Sequence, residues 1–233
     1  MIDTKRINPK VLEQWDTPTI CNALDIAAPN RRLYGFTKKQ MLPIKIKKPI
    51  CGFAKTAHII STKELTNNQR NKIDYYSYVS SQNRSSIILI EDEDNPPGIG
   101  AFWGEVNSAI HYALNVRGLV TNGAIRDIDL WQNNFPALAG SISPSHANVQ
   151  ITKFGQKVDV NNMKVDDGDI VHFDQHGAVV IPKQTVKILP EIILSQQNNE
   201  LKILKAIKKQ DFNLDILTNL LSKVSEFNGK NSK

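Results

Sequence analysis

The sequence predicts one mixed α/β domain over residues 1–233, with an α/β core at about 17–182 and a helical appendage at 183–233. Short β-like runs alternate with helical stretches through most of the chain. A strand, loop, helix, strand unit is legible between Ser86 and Asn122. Beyond Pro182 the pattern turns purely helical: Ile188, Leu189, Ile192 and Ile193 form one stripe, followed by Leu201, Leu204 and Ile207, and then by Ile216 to Leu221. No internal repeat, low-complexity tract or domain boundary interrupts this order.

Taken in order, residues 9–28 predict one or two helices. Thr17 and Thr19 are the candidate N-caps, Pro18 suits a first turn, and Ile20, Ala23 and Leu24 give the inward face. From Ile44 to Ile60 the chain reads as strand, with Gly52 as a bend or bulge. Asn67 to Ser81 reads as a helix with Ile73, Tyr76 and Val79 inward, and Ser86 to Glu91 as a buried strand. Next comes a loop punctuated by Gly98, Gly100 and Gly104. The helix expected from Glu105 to about Asn115 carries an apolar stripe of Val106, Ala109, Ile110 and Ala113. A strand from Gly118 to Asn122 and a turn at Gly123 then deliver Arg126 and Asp127. Further strands are expected at Phe135–Ala139, Val149–Phe154, Val158–Val160, Ile170–Phe173 and Ala178–Ile181. Turns at Gly155, Asn161–Asn162 and Asp167–Gly168 separate them.

Composition narrows the class. No window approaches the roughly 18 unbroken apolar residues of a membrane span, and the N-terminal MIDTKRINPK lacks a secretory h-region. Cys21 and Cys51 form no metal or disulfide pattern. A soluble, cytoplasmic protein is the expectation. The net charge of +6 is unevenly placed: eight Lys/Arg and no acid lie between Arg31 and Lys55, and Glu91 to Asp94 is a run of four acids. The lysines around Ile44 and Ile46 read as the wet face of a strand, and no aromatics are interleaved for base stacking, which argues against nucleic acid.

The polar residues at the loop ends carry the chemistry. In a crossover of this kind ligands sit at the carboxyl ends of strands and at the helix N-terminus, so Glu105 and Arg126–Asp127 converge on one edge. Glu105 at a helix start suits the macrodipole by itself. The same helix end, with its loop glycines, also suits a ligand carboxylate. Asp127, Asp129 and Glu105 offer hard oxygen ligands of the kind Mg²⁺ or Mn²⁺ accepts. Arg126 suits a carboxylate or a developing oxyanion. Taken alone, Arg126–Asp127 is equally an ordinary surface ion pair, worth about 0–1 kcal/mol.

Three lookalikes fail. Gly98, Gly100 and Gly104 are spaced one residue too long for a dinucleotide loop, and no acid follows the next strand. His172 and His176 have zinc-helix spacing, but Asp174 to Gly177 reads as a turn between strands. Ser143-Pro-Ser145-His146 lacks the elbow glycines of a serine hydrolase.

Gly104-Glu105, twenty residues, then Arg126-Asp127 within Val120-Thr-Asn-Gly-Ala-Ile-Arg-Asp127 resembles the signature of the RraA-like family. This family holds the regulators of ribonuclease E activity and the 4-hydroxy-4-methyl-2-oxoglutarate aldolases. The resemblance extends through Pro96-Pro-Gly98, Ala101 to Glu105, Ser141 to His146, Gly168-Asp169, His176-Gly177 and Asp211-Phe212, and covers nearly the whole chain from Thr17 onward.

It implies a mixed α/β fold like the swivelling β/β/α phosphohistidine domain, assembled as a homotrimer or homohexamer with sites between subunits. It implies that Asp127 binds Mg²⁺ or Mn²⁺ directly, that Glu105 acts through metal-bound waters, and that Arg126 holds the carbonyl and carboxylate end of a pyruvate-like ligand. Backbone groups of Gly104, Glu105, Val106 and Asn107 assist, and Glu200 matches a glutamate that reaches the metal site from a neighbouring subunit. The implied reaction is metal-dependent carbon–carbon cleavage of a short 2-oxo dicarboxylic acid, releasing pyruvate, by a retro-aldol step or by decarboxylation of oxaloacetate. A metal-held water is a better candidate base than any histidine of the chain. Relatives often carry an acid where this chain has Leu130; here the nearest is Asp129. The alternative is a non-catalytic regulator binding a ribonuclease or other macromolecule. A methyltransferase, a name also attached to such sequences, finds no cofactor loop here.

Overall fold

β2 (Ile50–Ile60) is buried along all eleven of its residues and is the axis on which the other strands are hung. The computed structural model describes residues 7–64, 69–81 and 85–230, so the first residues of the helix expected from Asn67 lie outside the described residues. The main sheet has eight strands. Its path runs β1 (Leu42–Ile44), β7 (Ala137–Ala139), β5 (Val116–Thr121), β3 (Ser86–Asp92), β2, β12 (Ile170–Asp174) and β13 (Gly177–Ile181), with β9 (Gln150–Phe154) paired to the far end of β2. The pairs β2–β3, β3–β5 and β5–β7 are parallel, and the pairs made by β1, β9, β12 and β13 are antiparallel.

Such a parallel centre must be covered on both faces. β3 sends Ile87 and Leu89 into one core and Ile88 and Ile90 into the other. The core of Ile88 and Ile90 also takes Tyr75 and Val79 from α2 (Gln69–Ser80). That of Ile87 and Leu89 lies under the hairpin of β10 (Val158–Val160) and β11 (Met163–Val165), whose turn places Asn161 and Asn162 at φ 51 and 68. A third core joins α1 (Thr17–Ala27) and α4 (Leu189–Ile207) to one end of β12 and β13. α5 (Leu214–Lys230) completes the helical appendage. Among the described residues no helix is long and apolar enough to cross a membrane.

Several sequence expectations shift in detail. α1 is capped by Asp16, whose carboxylate accepts from Thr19 N at 2.9 Å; the Thr17 hydroxyl instead meets His172 Nδ1 at 3.0 Å. The expected strand from Ile44 is broken, because the chain bends at Lys45 (φ 50) and the lysines lie off the sheet. Gly52 is no bulge: it lets Ser85 O come where a Cβ would sit 2.7 Å away, and the register shift falls at His58/Ile59. In α2 the buried residues are Tyr75 and Val79, as expected for Val79, while Ile73 is 65% exposed.

A second, three-stranded parallel sheet positions the site. β4 (Ala101–Trp103), β6 (Ala124–Ile125) and β8 (Ser141–Ile142) lie in that order, each coming after one of the parallel strands β3, β5 and β7 in the chain. The passage is tight. Gly140 N donates to Gly123 O at 3.0 Å, and a Cβ on Gly140 would fall 2.0 Å from Asn122 O, so only glycine fits there. α3 (Glu105–Ala113) starts directly after β4.

Candidate functional site

Parallel pairing of β4 with β6 sets Ala101 opposite Ala124 and Trp103 beside Ile125, which brings the two carboxyl ends together. The residues just beyond those ends therefore converge: Gly104 and Glu105 after β4, Arg126 and Asp127 after β6. Arg126 N donates to Trp103 O at 2.9 Å and adds one rung to the ladder. Asp127 then turns into the left-handed region (φ 54), a conformation that aspartate tolerates better than most residues, and its carbonyl accepts from Leu130 N at 3.1 Å.

Glu105, Arg126 and Asp127, expected at one edge, do converge there, Glu105 through its backbone N–H, although the strand that delivers Arg126 is β6 and not the longer β5. The Asp127 Oδ2 lies 3.4 Å from Glu105 N and 3.5 Å from Arg126 Nε, and the Arg126 and Asp127 side chains are each 38% exposed. Gly104 makes this approach possible, since a Cβ there would stand 2.5 Å from Asp127 Oδ2 and 3.2 Å from Arg126 Cγ. As N-cap, Gly104 offers no side-chain acceptor to the first turn of α3. The amides at that helix start, with their positive end of the dipole, open beside the Arg126 guanidinium.

Val106 and Asn107 play different parts. Val106 is 67% exposed at the rim. The Asn107 side chain is committed to structure: its Nδ2 donates to Phe102 O and its Oδ1 accepts from Tyr76 OH at 2.7 Å. Ser108 also locks the turn, donating its hydroxyl to Glu105 O at 2.8 Å while accepting from Gln132 N at 3.1 Å.

Beneath the site lies a sealed aromatic floor. Trp103 stacks on Phe135 with centroids 5.8 Å apart, and the His111 ring lies 4.4 Å from that of Trp103. His111 is fully buried, bonded to Tyr75 OH at 2.8 Å and to Asn107 O at 2.6 Å. Burial holds its pKa down at about 4, against the opposing pull of the Asn107 carbonyl, so it is a neutral strut near pH 7. The inward face of α3 is thus Ser108 and His111, and the apolar stripe read from the sequence faces outward: Val106, Ala109 and Ala113 are exposed and Ile110 is half-buried. Nothing in the local sequence marks His111 as buried, because its partner Tyr75 is distant in the chain.

Among the described residues no group of three or more His, Cys, Asp or Glu side chains could hold a metal ion. What the edge offers is the Asp127 carboxylate, with Glu105 exposed beside it. That donor set fits a hard ion that keeps most of its waters, as Mg²⁺ does, and not a chelated transition metal. Glu200 is exposed on α4, the helix tied to α1 through Gln196 Nε2 and Asn22 O (3.1 Å). Among the described residues it makes no hydrogen bond or ion pair to Arg126 or Asp127. His172 and His176 fall in and after β12, at the β12–β13 hairpin, and not on a helix face.

The family model described as RraA-like, Aldolase/RraA, matches residues 17–180. The protein DlpA of Legionella pneumophila is 24% identical over 135 residues, 56% of this chain and 22% of its own length. An uncharacterised protein of Methanocaldococcus jannaschii is 33% identical over 100 residues, 42% of this chain and 47% of its own. The aligned part of the chain thus spans about a fifth and about half of these curated relatives. In fold, the chain is similar to Streptomyces coelicolor RraAS2, described as an unusual member of the RNase ES inhibitor RraA protein family, with a TM-score of 0.68 at 15% identity, covering 84% of this chain and 96% of that one. With its curled mixed sheet, its C-terminal helices and a family match over most of its length, the chain belongs to the RraA-like family, which includes both aldolase or decarboxylase enzymes and non-catalytic regulators of ribonuclease E.

Proposed function

We propose that this chain is a divalent-metal-dependent carbon–carbon lyase acting on a short 2-oxo dicarboxylic acid such as 4-hydroxy-4-methyl-2-oxoglutarate or oxaloacetate, releasing pyruvate. The observation that carries this is the Asp127 carboxylate. It is held 3.4 to 3.5 Å from an arginine and an open helix start, yet among the described residues it makes no short bond that would consume it. Asp127 would hold Mg²⁺ or Mn²⁺ directly, Glu105 would act through water, and Glu200 would come from a neighbouring subunit of a trimer or hexamer. When bound, such an ion supplies a Lewis acid for the 2-oxo group.

The chain's own groups account for the rest. The Arg126 guanidinium binds the carboxylate and carbonyl end of the acid, and the first amides of α3, from Glu105 to Asn107, point donors at the same end. In the retro-aldol reaction the bond between the third and fourth carbons breaks and its electron pair stays on the pyruvate fragment. The resulting enolate carries negative charge on the oxygen held by Arg126, and that charge is what a preorganised cation stabilises. Decarboxylation of oxaloacetate leaves the same enolate, so one site serves both reactions. His111 takes no part in proton transfer, being buried and bonded at both ring nitrogens.

The test is pyruvate release from both acids, with and without Mg²⁺ or Mn²⁺, for the wild type and for Asp127→Ala. Turnover that needs metal and disappears in the variant is the expected result. Turnover that survives both chelation and the substitution removes Asp127 from its role. No turnover on any 2-oxo acid, together with co-purification of a ribonuclease, returns the regulator reading.

A further inference from the structure

A cavity of about 570 Å³ opens at the start of β5, between the bend after β1 and the C-terminal end of α3. Its mouth carries Lys45, Lys47 and Lys48 and no acidic residue lines it. Among the described residues Lys45, Lys47 and Lys48 make no ion pair or hydrogen bond. Arg117 closes the back wall but is already spent, with Glu13 on both terminal nitrogens and Cys51 O and Ser85 Oγ at 3.1 Å.

The rest of the lining is chemically specific. Asn115, Asn133 and Asn134 also line this space, exposed, and their side-chain amides have no partner among the described residues. Tyr112 is 42% exposed and stacks on no other ring among the described residues. Ile50, Val116 and Pro136 give an apolar floor.

A helix C-terminus attracts lysines unaided, which is the bland account. That end carries only about half a negative charge, acting within the last turn. Three ammonium groups exceed it several-fold, and the dipole gives no reason for three idle amides and a bare ring in the same cavity.

We propose that this cavity binds a nucleoside polyphosphate, with the three lysines on the phosphates, Tyr112 against the base and the asparagine amides on the base edge. Amides present a donor and an acceptor side by side, as a base edge does. A lone aromatic face beside cations is the combination that stacks a base next to its phosphates. The volume suits a ligand of this size. The proposal is independent of the lyase reading, because none of these residues belongs to the Arg126–Asp127 edge.

The experiment is calorimetric titration of the full chain with ATP, GTP and inorganic tripolyphosphate, in EDTA so that no metal bridges to Asp127. The expected result is nucleotide binding at least about tenfold tighter than tripolyphosphate, that is, about 1.4 kcal/mol. It should weaken tenfold or more in the Lys45→Gln/Lys47→Gln variant, and Tyr112→Ala should reduce it towards tripolyphosphate affinity. Circular dichroism checks that both variants fold, and Asp127→Ala should bind as the wild type does. Equal affinity for tripolyphosphate and ATP would make this a bare anion site and overturn the proposal. So would ATP binding indifferent to the lysine pair, no binding at about 1 mM, or lysine-dependent binding of single-stranded RNA tighter than that of ATP.

Discussion

Two sets of carboxylates leave the ends of strands in different sheets and meet opposite fates. Asp92 and Asp94, at the end of β3, are 4% and 6% exposed and hydrogen-bonded, Asp92 at both oxygens and Asp94 by four donors. Asp92 accepts from Gly98 N at 2.7 Å and from Asp94 N at 3.0 Å. Asp94 takes Ser61 N at 2.9 Å, Thr62 Oγ1 at 2.6 Å, Thr62 N at 3.2 Å and the Ser61 hydroxyl. Burial acts to raise the Asp94 pKa, but the bonds from Ser61 and Thr62 outweigh it and hold the carboxyl below its usual range. Asp127, after β6, has among the described residues only its contacts at 3.4 and 3.5 Å, and Glu105 stands in solvent. A buried carboxylate bonded to its own loop, as Asp94 is by four donors, holds that loop; one left open can hold something else. Acid count alone would choose the run from Glu91 to Asp94 as the site, and bonding reverses that choice.

The largest expected effect breaks function and spares the fold. Asp127→Ala and Arg126→Ala should each lower pyruvate release from the preferred 2-oxo acid by about 10²-fold or more, the scale of losing a transition-state charge partner. Melting temperature should barely change, since an exposed pair is worth about 0–1 kcal/mol. A substantial loss of stability with activity retained would place Asp127 in the same class as Asp94.

Asp94→Ala is the mirror experiment. It leaves the Ser61 and Thr62 donors without acceptors and should cost about 2–3 kcal/mol, read as a fall of several degrees in thermal melting. Turnover per folded molecule should persist. Loss of turnover with an unchanged melting temperature would bring the β3 loop into the active edge.

The saturated interior also predicts a pH response. His111 is held at about 4 in the fold against an ordinary 6.5. Between those values the unfolded chain takes up a proton that the folded chain refuses, so stability is full above about pH 6.5 and falls as pH drops towards 4. At pH 5 the loss is about 2 kcal/mol. His172, also lowered by burial, acts in the same direction. The measurement is therefore the difference in acid sensitivity between wild type and His111→Gln, and an identical slope in both would remove His111 as its source.

How much of this the sequence reveals depends on how local the cause is. Glu105 and Arg126–Asp127 are legible because their spacing is fixed by the chain itself, and the buried strand β3 is legible from the unbroken apolar run Ile87–Ile90. The small sheet is not, because strands of two or three residues carry no period. The facing of α3 misleads for another reason. Val106, Ala109, Ile110 and Ala113 do make a stripe, but periodicity reports that a helix is two-faced and not which face meets its own core. The buried face is polar, and Ser108 and His111 can turn inward only because Gln132 and Tyr75 supply partners from elsewhere in the chain. Asn107 deceives in the same way, its amide being used by Phe102 and Tyr76.

The smallest effect is the most discriminating. Gly104 has φ −163, an extended conformation open to any residue, so Gly104→Ala adds no backbone strain. Its new Cβ would enter within 2.5 Å of Asp127 Oδ2, and the carboxylate must swing off the helix start to make room. A shift of that size in a positioned group should lower kcat/KM about tenfold, about 1.4 kcal/mol, and leave the melting temperature close to wild type. Because Asp94 lies in a different loop, its bonds are untouched, so the variant moves one carboxylate and not the other. If kcat/KM stays at the wild-type value, the closeness of Asp127 to the start of α3 is only packing, and the open carboxylate loses the geometry on which its contrast with Asp94 depends.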